Sequence, residues 1–201
     1  MVRAGAKAVR TGTPAGGRTG RAGRKRTPAG GTADAREGTD MTARRPLAVF
    51  DLDGTLADVR HRLSFVEQQP RDWDAFFAAA VDDPPLTAGV ALAKETAETA
   101  DLAYVTGRPE RCRADTLAWL AEHGLPAGRL VMRAGGDRRP ARITKPELLR
   151  RLARQREICL VVDDDELVCA AYERAGFRVL RADWMAAQPL LEVVQEDEGR
   201  T

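Results

Sequence analysis

Cysteine, histidine and long apolar runs are all scarce in this chain, and each scarcity removes a class of reading. The three cysteines, Cys112, Cys159 and Cys169, show neither paired spacing nor the spacing of metal ligands. Cys159 opens an apolar stretch and Cys169 lies in a helical one, so both read as small core residues. A reduced, cytoplasmic protein is the simplest expectation. The two histidines, His61 and His123, have no partner spacing, and His123 suits the C-terminus of a helix. No apolar stretch reaches membrane-spanning length, so no membrane partner is expected. No Gly-x-x-x-x-Gly-Lys-Ser/Thr occurs, which excludes a P-loop kinase element from these 201 residues.

Residues 1–45 also lack large apolar side chains. They are Gly, Ala, Thr, Arg and Pro, too poor in burial to offset the entropy of ordering, and are expected to form a disordered tail. No apolar h-region follows the early basic residues, so the segment is not a secretory signal. Met41 offers an alternative start. Charge separates the two parts: 11 Lys/Arg face 3 Asp/Glu in residues 1–45, whereas residues 46–201 are net acidic and the whole chain is +2. The tail could touch nucleic acid non-specifically, but net charge does not decide the partner.

Residues 46–201 suffice for one folded domain with its own core. Leu47 to Phe50 is short, apolar and β-prone, as a buried parallel strand should be, and Gly54-Thr55 breaks it into a turn. Residues 57–83 read as a small insertion, with helical apolar spacing at Trp73, Phe76, Phe77 and Ala80; these residues form a local core or, less simply, a stacking surface for a base. Strands are then expected at 102–105, 130–132, 158–162 and 177–180, alternating with helices near 86–99, 109–123, 145–156 and 166–175. That alternation predicts βαβ units on a parallel sheet. The last dozen residues are acidic and are expected to fray.

The strand ends carry the chemistry. Asp51 and Asp53 follow the first strand, Thr106 the second, and Asp163-Asp164 the fourth; Lys145 arrives at an expected helix start. Open α/β sheets bind ligands at this edge. Two acids on one strand end repel each other unless a cation or a shared proton compensates. A bland strand and Asx turn would need a single Asp and a Gly. A carboxylate can instead attack phosphorus and divide one displacement into two. Mg²⁺ takes oxygen ligands from one or two carboxylates and a phosphate. A hydroxyl and an ammonium can hold the other phosphoryl oxygens. Asp165 and Glu166 read as first-turn helix acids, and Arg60 and Arg62, just after the turn, could face a substrate.

This arrangement resembles the haloacid dehalogenase (HAD) superfamily, mainly its phosphatases, over residues 47 to about 181. The resemblance implies a Rossmann-like α/β fold: a parallel sheet flanked by helices, with a small insertion after the first strand. It makes Asp51 the nucleophile and Asp53 the general acid/base, whose backbone carbonyl also binds metal. Thr106 and Lys145 hold the phosphoryl group, and Asp163 and Asp164 complete a Mg²⁺ site, with Asp164 the first choice as direct ligand. Dehalogenases lack an acid two residues after the nucleophile, so Asp53 points to phosphotransfer. Thr106-Gly107-Arg108-Pro109, Trp119, Val131-Met132-Arg133, Gly136-Asp137-Arg138 and Arg174-Ala175-Gly176 are similar to the 3′-phosphatase domain of polynucleotide kinase-phosphatases. That likeness directs Gly107, Arg108, Arg133, Arg138 and Arg139 toward substrate. Arg142 stands where the likeness leads one to expect an acid. The implied activity is a Mg²⁺-dependent phosphomonoesterase on nucleic-acid 3′-phosphate ends or nucleotides. A small-metabolite phosphatase is the alternative. A catalytically silent binding module comes third, opposed by the intact acidic set.

Overall fold

The structure, a computed structural model, describes residues 44–186 and 188–198. The expected basic tail and the alternative start at Met41 lie outside the described residues. Five parallel strands form one sheet: β1 (Leu47–Phe50), β2 (Asp101–Pro109), β3 (Gly128–Arg133), β4 (Ile158–Asp163) and β5 (Val179–Arg181). Their order is β3-β2-β1-β4-β5, so β1 is central and the strand order reverses beside it. All four residues of β1 are buried because the sheet is covered on both faces. Ala48 and Phe50 point into one core layer, with Ala93 of α3 (Thr87–Thr96) and Trp119 of α4 (Arg113–Glu122). Leu47 and Val49 point into the other, with Leu149 of α5 (Ala141–Ala153) and Tyr172 of α6 (Glu166–Arg174). This is the Rossmann-like parallel sheet with flanking helices that the alternation of elements implies.

Between β1 and α3 the chain forms two short helices, α1 (Ser64–Glu67) and α2 (Trp73–Ala78). Trp73, Phe76 and Phe77 are buried and pack ring against ring at 5.4–5.9 Å. They form a core. Phe77 is only 5% exposed, with Arg111 over its ring, and borders a cleft that Arg138 also lines.

Several boundaries differ from the sequence expectation, and three of the differences bear on the site. β2 runs through Pro109 rather than stopping at Val105, because a register shift between Thr106 and Pro109 absorbs Gly107 and Arg108 as an irregularity in the pairing with β3. Helix α5 begins at Ala141, so Lys145 lies in its second turn rather than at its start. The amides of Ile143 and Thr144 bond back to the carbonyl of Pro140, which opens the helix ahead of Pro146. Pro146 then removes a single interior donor. Finally, the acidic C-terminal stretch does not fray throughout: α7 spans Pro189–Glu198, with Leu191 and Val194 buried in the core layer of α3 and α4.

Candidate active site

The turn after β1 builds the site. The amide of Asp51 bonds the carbonyl of Val162 at 2.9 Å, continuing the sheet, and the amides of Thr55, Leu56 and Ala57 then converge on the carbonyl of Leu52. Gly54 closes this turn at φ +80°, the left-handed region that suits glycine. A Cβ there would lie 1.9 Å from Asp164 Oδ2, so the missing side chain is what lets Asp164 approach the turn. Gly89, at the start of α3, permits a second close approach, since its Cβ would meet the carbonyl oxygen of Thr55 at 2.1 Å.

Asp51, Asp163 and Asp164 each offer a carboxylate oxygen, and these oxygens lie within 4.8 Å of one another. Lys145 stands among them, with Nζ 3.1 Å from Asp51 Oδ1 and donating to Asp163 Oδ2 at 2.8 Å. The contact with Asp51 is an ion pair without hydrogen-bond geometry, so the buried Oδ1 of Asp51 accepts no hydrogen bond. Asp163 is the more occupied acid. It takes Lys145 and Tyr172 on Oδ2 and the amide of Asp165 on Oδ1. Among the side chains of the described residues, the Asp164 carboxylate receives only the Thr55 hydroxyl, at 3.2 Å, and Asp164 lines the pocket.

These charges do not balance. Three acids face one ammonium. Burial, and then Asp163 and Asp53 against the opposing pull of Lys145, push the Asp51 carboxyl up to about 8. Burial and the neighbouring acids push Asp164 well up too. Burial would depress Lys145, but Asp163 and Asp51 outweigh it and hold the ammonium well above its ordinary range. A divalent cation fits this set on chemistry alone: oxygen donors, an unbonded buried carboxylate oxygen and an excess of negative charge.

Asp53 sits in the opposite environment. Its Oδ1 accepts from Arg62 Nη2 at 2.8 Å and from Arg108 Nε and Nη2 at 2.8 and 2.5 Å. Burial would raise its carboxyl, yet Arg108 and then Arg62 overcome that and hold it at about 2. Both arginines, 0% and 1% exposed, also grip Asp83, with contacts of 2.6–2.8 Å. His61 Nε2 lies 2.8 Å from the same carboxylate, and the Trp119 indole donates to the Asp83 carbonyl. Two guanidiniums and two carboxylates thus form a buried, charge-balanced network behind the turn.

The remaining residues singled out in the sequence separate into distinct surroundings. Thr106 is 1% exposed at the edge of the catalytic pocket, its hydroxyl accepting from the Arg108 amide at 3.2 Å, and Gly107 lines the same pocket. Arg108 has its guanidinium committed to Asp53 and Asp83. Arg62 is the inward member of its pair, whereas Arg60 bonds to Asp58. Arg133 is buried and ties its own loop by donating to the carbonyls of Asp137 and Arg139. Arg139 pairs with Asp137 and Glu147. Arg138 is exposed, makes no such contact among the described residues, and lines a cleft that shares Gly107 with the catalytic pocket. Arg142 pairs with Glu196. Asp165 caps α6, accepting from the amides of Leu167 and Val168. Sequence reasoning missed Asp83; its only signal was a buried-charge requirement that no spacing expresses.

Known proteins share this construction. Residues 46–184 match the family described as the polynucleotide kinase PNKP phosphatase domain. Among solved structures, the Pnkp1/Rnl/Hen1 RNA repair complex aligns at a TM-score of 0.58 and 23% identity, covering 68% of this chain and 42% of that one. A class C acid phosphatase from Bacillus anthracis with tungstate bound aligns at 0.51 and 18%, covering 71% and 69%. The haloacid dehalogenase-like hydrolase SP0104 from Streptococcus pneumoniae aligns at 0.53 and 14%, covering 78% and 93%. These identities show the fold alone, and the chain spans under half the length of its counterpart in the repair complex. No curated protein matches the chain significantly. With more than half of its length matched, the chain belongs to the polynucleotide kinase PNKP phosphatase domain family of HAD-type phosphatases.

Proposed function

We propose that residues 46–201 form a Mg²⁺-dependent phosphomonoesterase that works through an aspartyl-phosphate on Asp51 and acts on nucleic-acid 3′-phosphate ends. The observation that carries the reading is the juxtaposition of Asp51, Asp163 and Asp164 around Lys145, with Asp53 held apart by two arginines. Asp51, Asp164 and the backbone carbonyl of Asp53 would hold the cation, with Asp163 beside them. Bound Mg²⁺ supplies charge neutralisation between anionic nucleophile and anionic substrate.

In the first step an Asp51 carboxylate oxygen attacks phosphorus, the bond from phosphorus to the sugar oxygen breaks, and Asp53 gives that oxygen a proton. In the second, the Asp53 carboxylate takes a proton from water as the water oxygen attacks phosphorus, releasing phosphate and restoring Asp51. The two guanidiniums favour the carboxylate form of Asp53, which suits the second step. A bound phosphate dianion opposes them and favours the proton that the first step needs. Lys145 and the Thr106 hydroxyl stabilise the equatorial oxygens during both displacements.

Family membership and the name of the RNA repair complex support the substrate class. Arg138, which lines the same cleft as Gly107, supplies a cation with no carboxylate partner among the described residues, where a chain-end nucleotide would leave the pocket. One observation favours a second reading, a small-metabolite phosphoester. The catalytic pocket encloses only about 40 Å³, room on the order of three waters where each needs roughly 10–15 Å³. All three thiols are free, which supports a reducing compartment such as the cytoplasm. Phosphate release from matched 3′- and 5′-phosphorylated oligonucleotides, with an aryl phosphate alongside, decides between the readings. Preference for the 3′ end is the expected result; turnover of the aryl phosphate alone moves the substrate to small metabolites.

A further inference from the structure

The match to the family ends at residue 184, yet the catalytic pocket does not. Met185, Gln188, Leu191 and Gln195 line it together with Asp51, Lys145 and the other catalytic residues. We propose that α7, with Met185 and Gln188 ahead of it, roofs the catalytic pocket, and that Gln188 and Gln195 are specificity-determining residues meeting the phosphoester where it leaves the phosphoryl site.

Three features fix the roof in place. Its root is tied to the catalytic turn, because Trp184 Nε1 donates to the carbonyl of Thr55 at 2.9 Å. That same Thr55 gives its hydroxyl to Asp164. Leu191 and Val194, 7% and 3% exposed, seat the helix on the core. Its end is then held on two sides. Glu196 pairs with Arg142 of α5, one turn before Lys145. Glu198 accepts from Arg71 at 2.8 Å and from the Trp73 indole at 2.7 Å, at the start of α2. The C-terminal turn of the helix is therefore tied both to α5 and to the segment after β1, while Leu191 and Gln195 of the same helix line the pocket. Arg142, which departs from the acid expected at its position, is one of the anchors.

The roof also has a chemical character. The walls beneath it carry Lys145 and three catalytic acids, whereas Gln188 and Gln195 bring neutral amides. Gln188 Nε2 donates to the carbonyl of Ala186 at 2.9 Å, which leaves its second N–H and its Oε1 for a ligand. An amide donates and accepts without adding net charge, so it can bond an ester oxygen or a sugar hydroxyl and leave the charge balance with the cation undisturbed. With this side closed, the way out runs past Gly107, which the catalytic pocket shares with the cleft holding Arg138.

The inference rests on the phosphatase reading, and the test separates the two. Gln188→Glu and Gln195→Glu are isosteric and place a new charge facing the pocket. Asp197→Asn, on an exposed position of the same helix, is the control. Competition of inorganic phosphate against an aryl phosphate, in the full chain with Mg²⁺ at low ionic strength, reads the inhibition constant. A roof over the site predicts that each glutamate variant raises that constant at least tenfold, with Asp197→Asn within twofold of wild type. Gln188→Ala and Gln195→Ala are expected to raise KM for a 3′-phosphorylated oligonucleotide about fivefold more than they raise KM for the aryl phosphate. Glutamate variants indistinguishable from the control overturn the roof while leaving the phosphatase intact. Equal losses of KM and kcat on both substrates reduce α7 to a structural support. A wild-type enzyme silent toward every phosphoester overturns both readings.

Discussion

Arg108 Nη2 and Asp83 Oδ2 lie 2.6 Å apart, linking the irregular end of β2 to a residue 25 positions earlier, with both side chains essentially sealed from water. The same guanidinium reaches Asp53, so Asp83 fixes from behind the orientation of the residue we propose as acid/base. Arg62 repeats the arrangement from the segment after β1. The arginine that sequence resemblance directs toward substrate thus holds the Asp53 carboxylate here.

Removing one member of such a network strands the others. Asp83→Ala leaves two buried guanidiniums sharing Asp53, and breaking a buried pair in this way costs about 3–5 kcal/mol. The variant is expected to lose that much unfolding free energy in urea titration, and its activity should fall with the loosening of Asp53. A loss below about 1 kcal/mol, the scale of an exposed pair, would contradict the network.

Gly54 tests the metal site from the other side. Gly54→Ala adds a Cβ where Asp164 Oδ2 now sits and places it at a left-handed φ. The carboxylate must withdraw, so the Mg²⁺ concentration for half-maximal activity is expected to rise more than tenfold while the fold survives. An unchanged Mg²⁺ requirement would remove Asp164 from the ligand set.

The acids also predict a pH dependence of the cation-free protein. Asp51 is raised in the folded state from 3.8 to about 8, so between these values the folded chain binds more protons than the unfolded one. Stability then falls as pH rises through that window. Tm measured in a chelator should decline from pH 5 toward pH 8, and saturating Mg²⁺ should flatten the decline. A cation-free Tm that rises across the window would contradict the crowding of the three acids.

Much of this was legible in the sequence, and the limits are physical. Asp51, Asp53, Thr106, Asp163 and Asp164 could be placed because strand ends in a parallel sheet share one edge, and apolar runs mark those ends. The Arg108–Asp83 pair could not, because a contact between distant segments leaves no periodicity. Pro109 reads as the opening of a helix, although the pairing of β2 and β3 carries the strand through it. Pro146 reads as a helix opening, although Pro140 already supplies one. Helix α7 hides behind its acidic exterior, since two buried residues three apart are a thin signal.

The arginines of the loop after β3 separate by partner. Among the described residues Arg139 is paired twice and Arg138 is not, so the two should differ although they are adjacent. Arg138→Ala is expected to raise KM for a 3′-phosphorylated oligonucleotide and to lower the slope of log KM against log salt by about 0.7, the value for one phosphate contact on a single strand. Arg139→Ala should leave that slope unchanged. Equal effects from both would assign the loop a diffuse electrostatic role.

The central claim is that Asp51 is the nucleophile, and acid quenching during turnover of a 3′-phosphorylated oligonucleotide tests it most directly. Mass spectrometry of the quenched, digested protein should find phosphate on the peptide containing Asp51, absent without Mg²⁺ and absent in Asp51→Asn. Continued turnover by Asp51→Asn, or phosphate recovered on a different residue, would contradict the account.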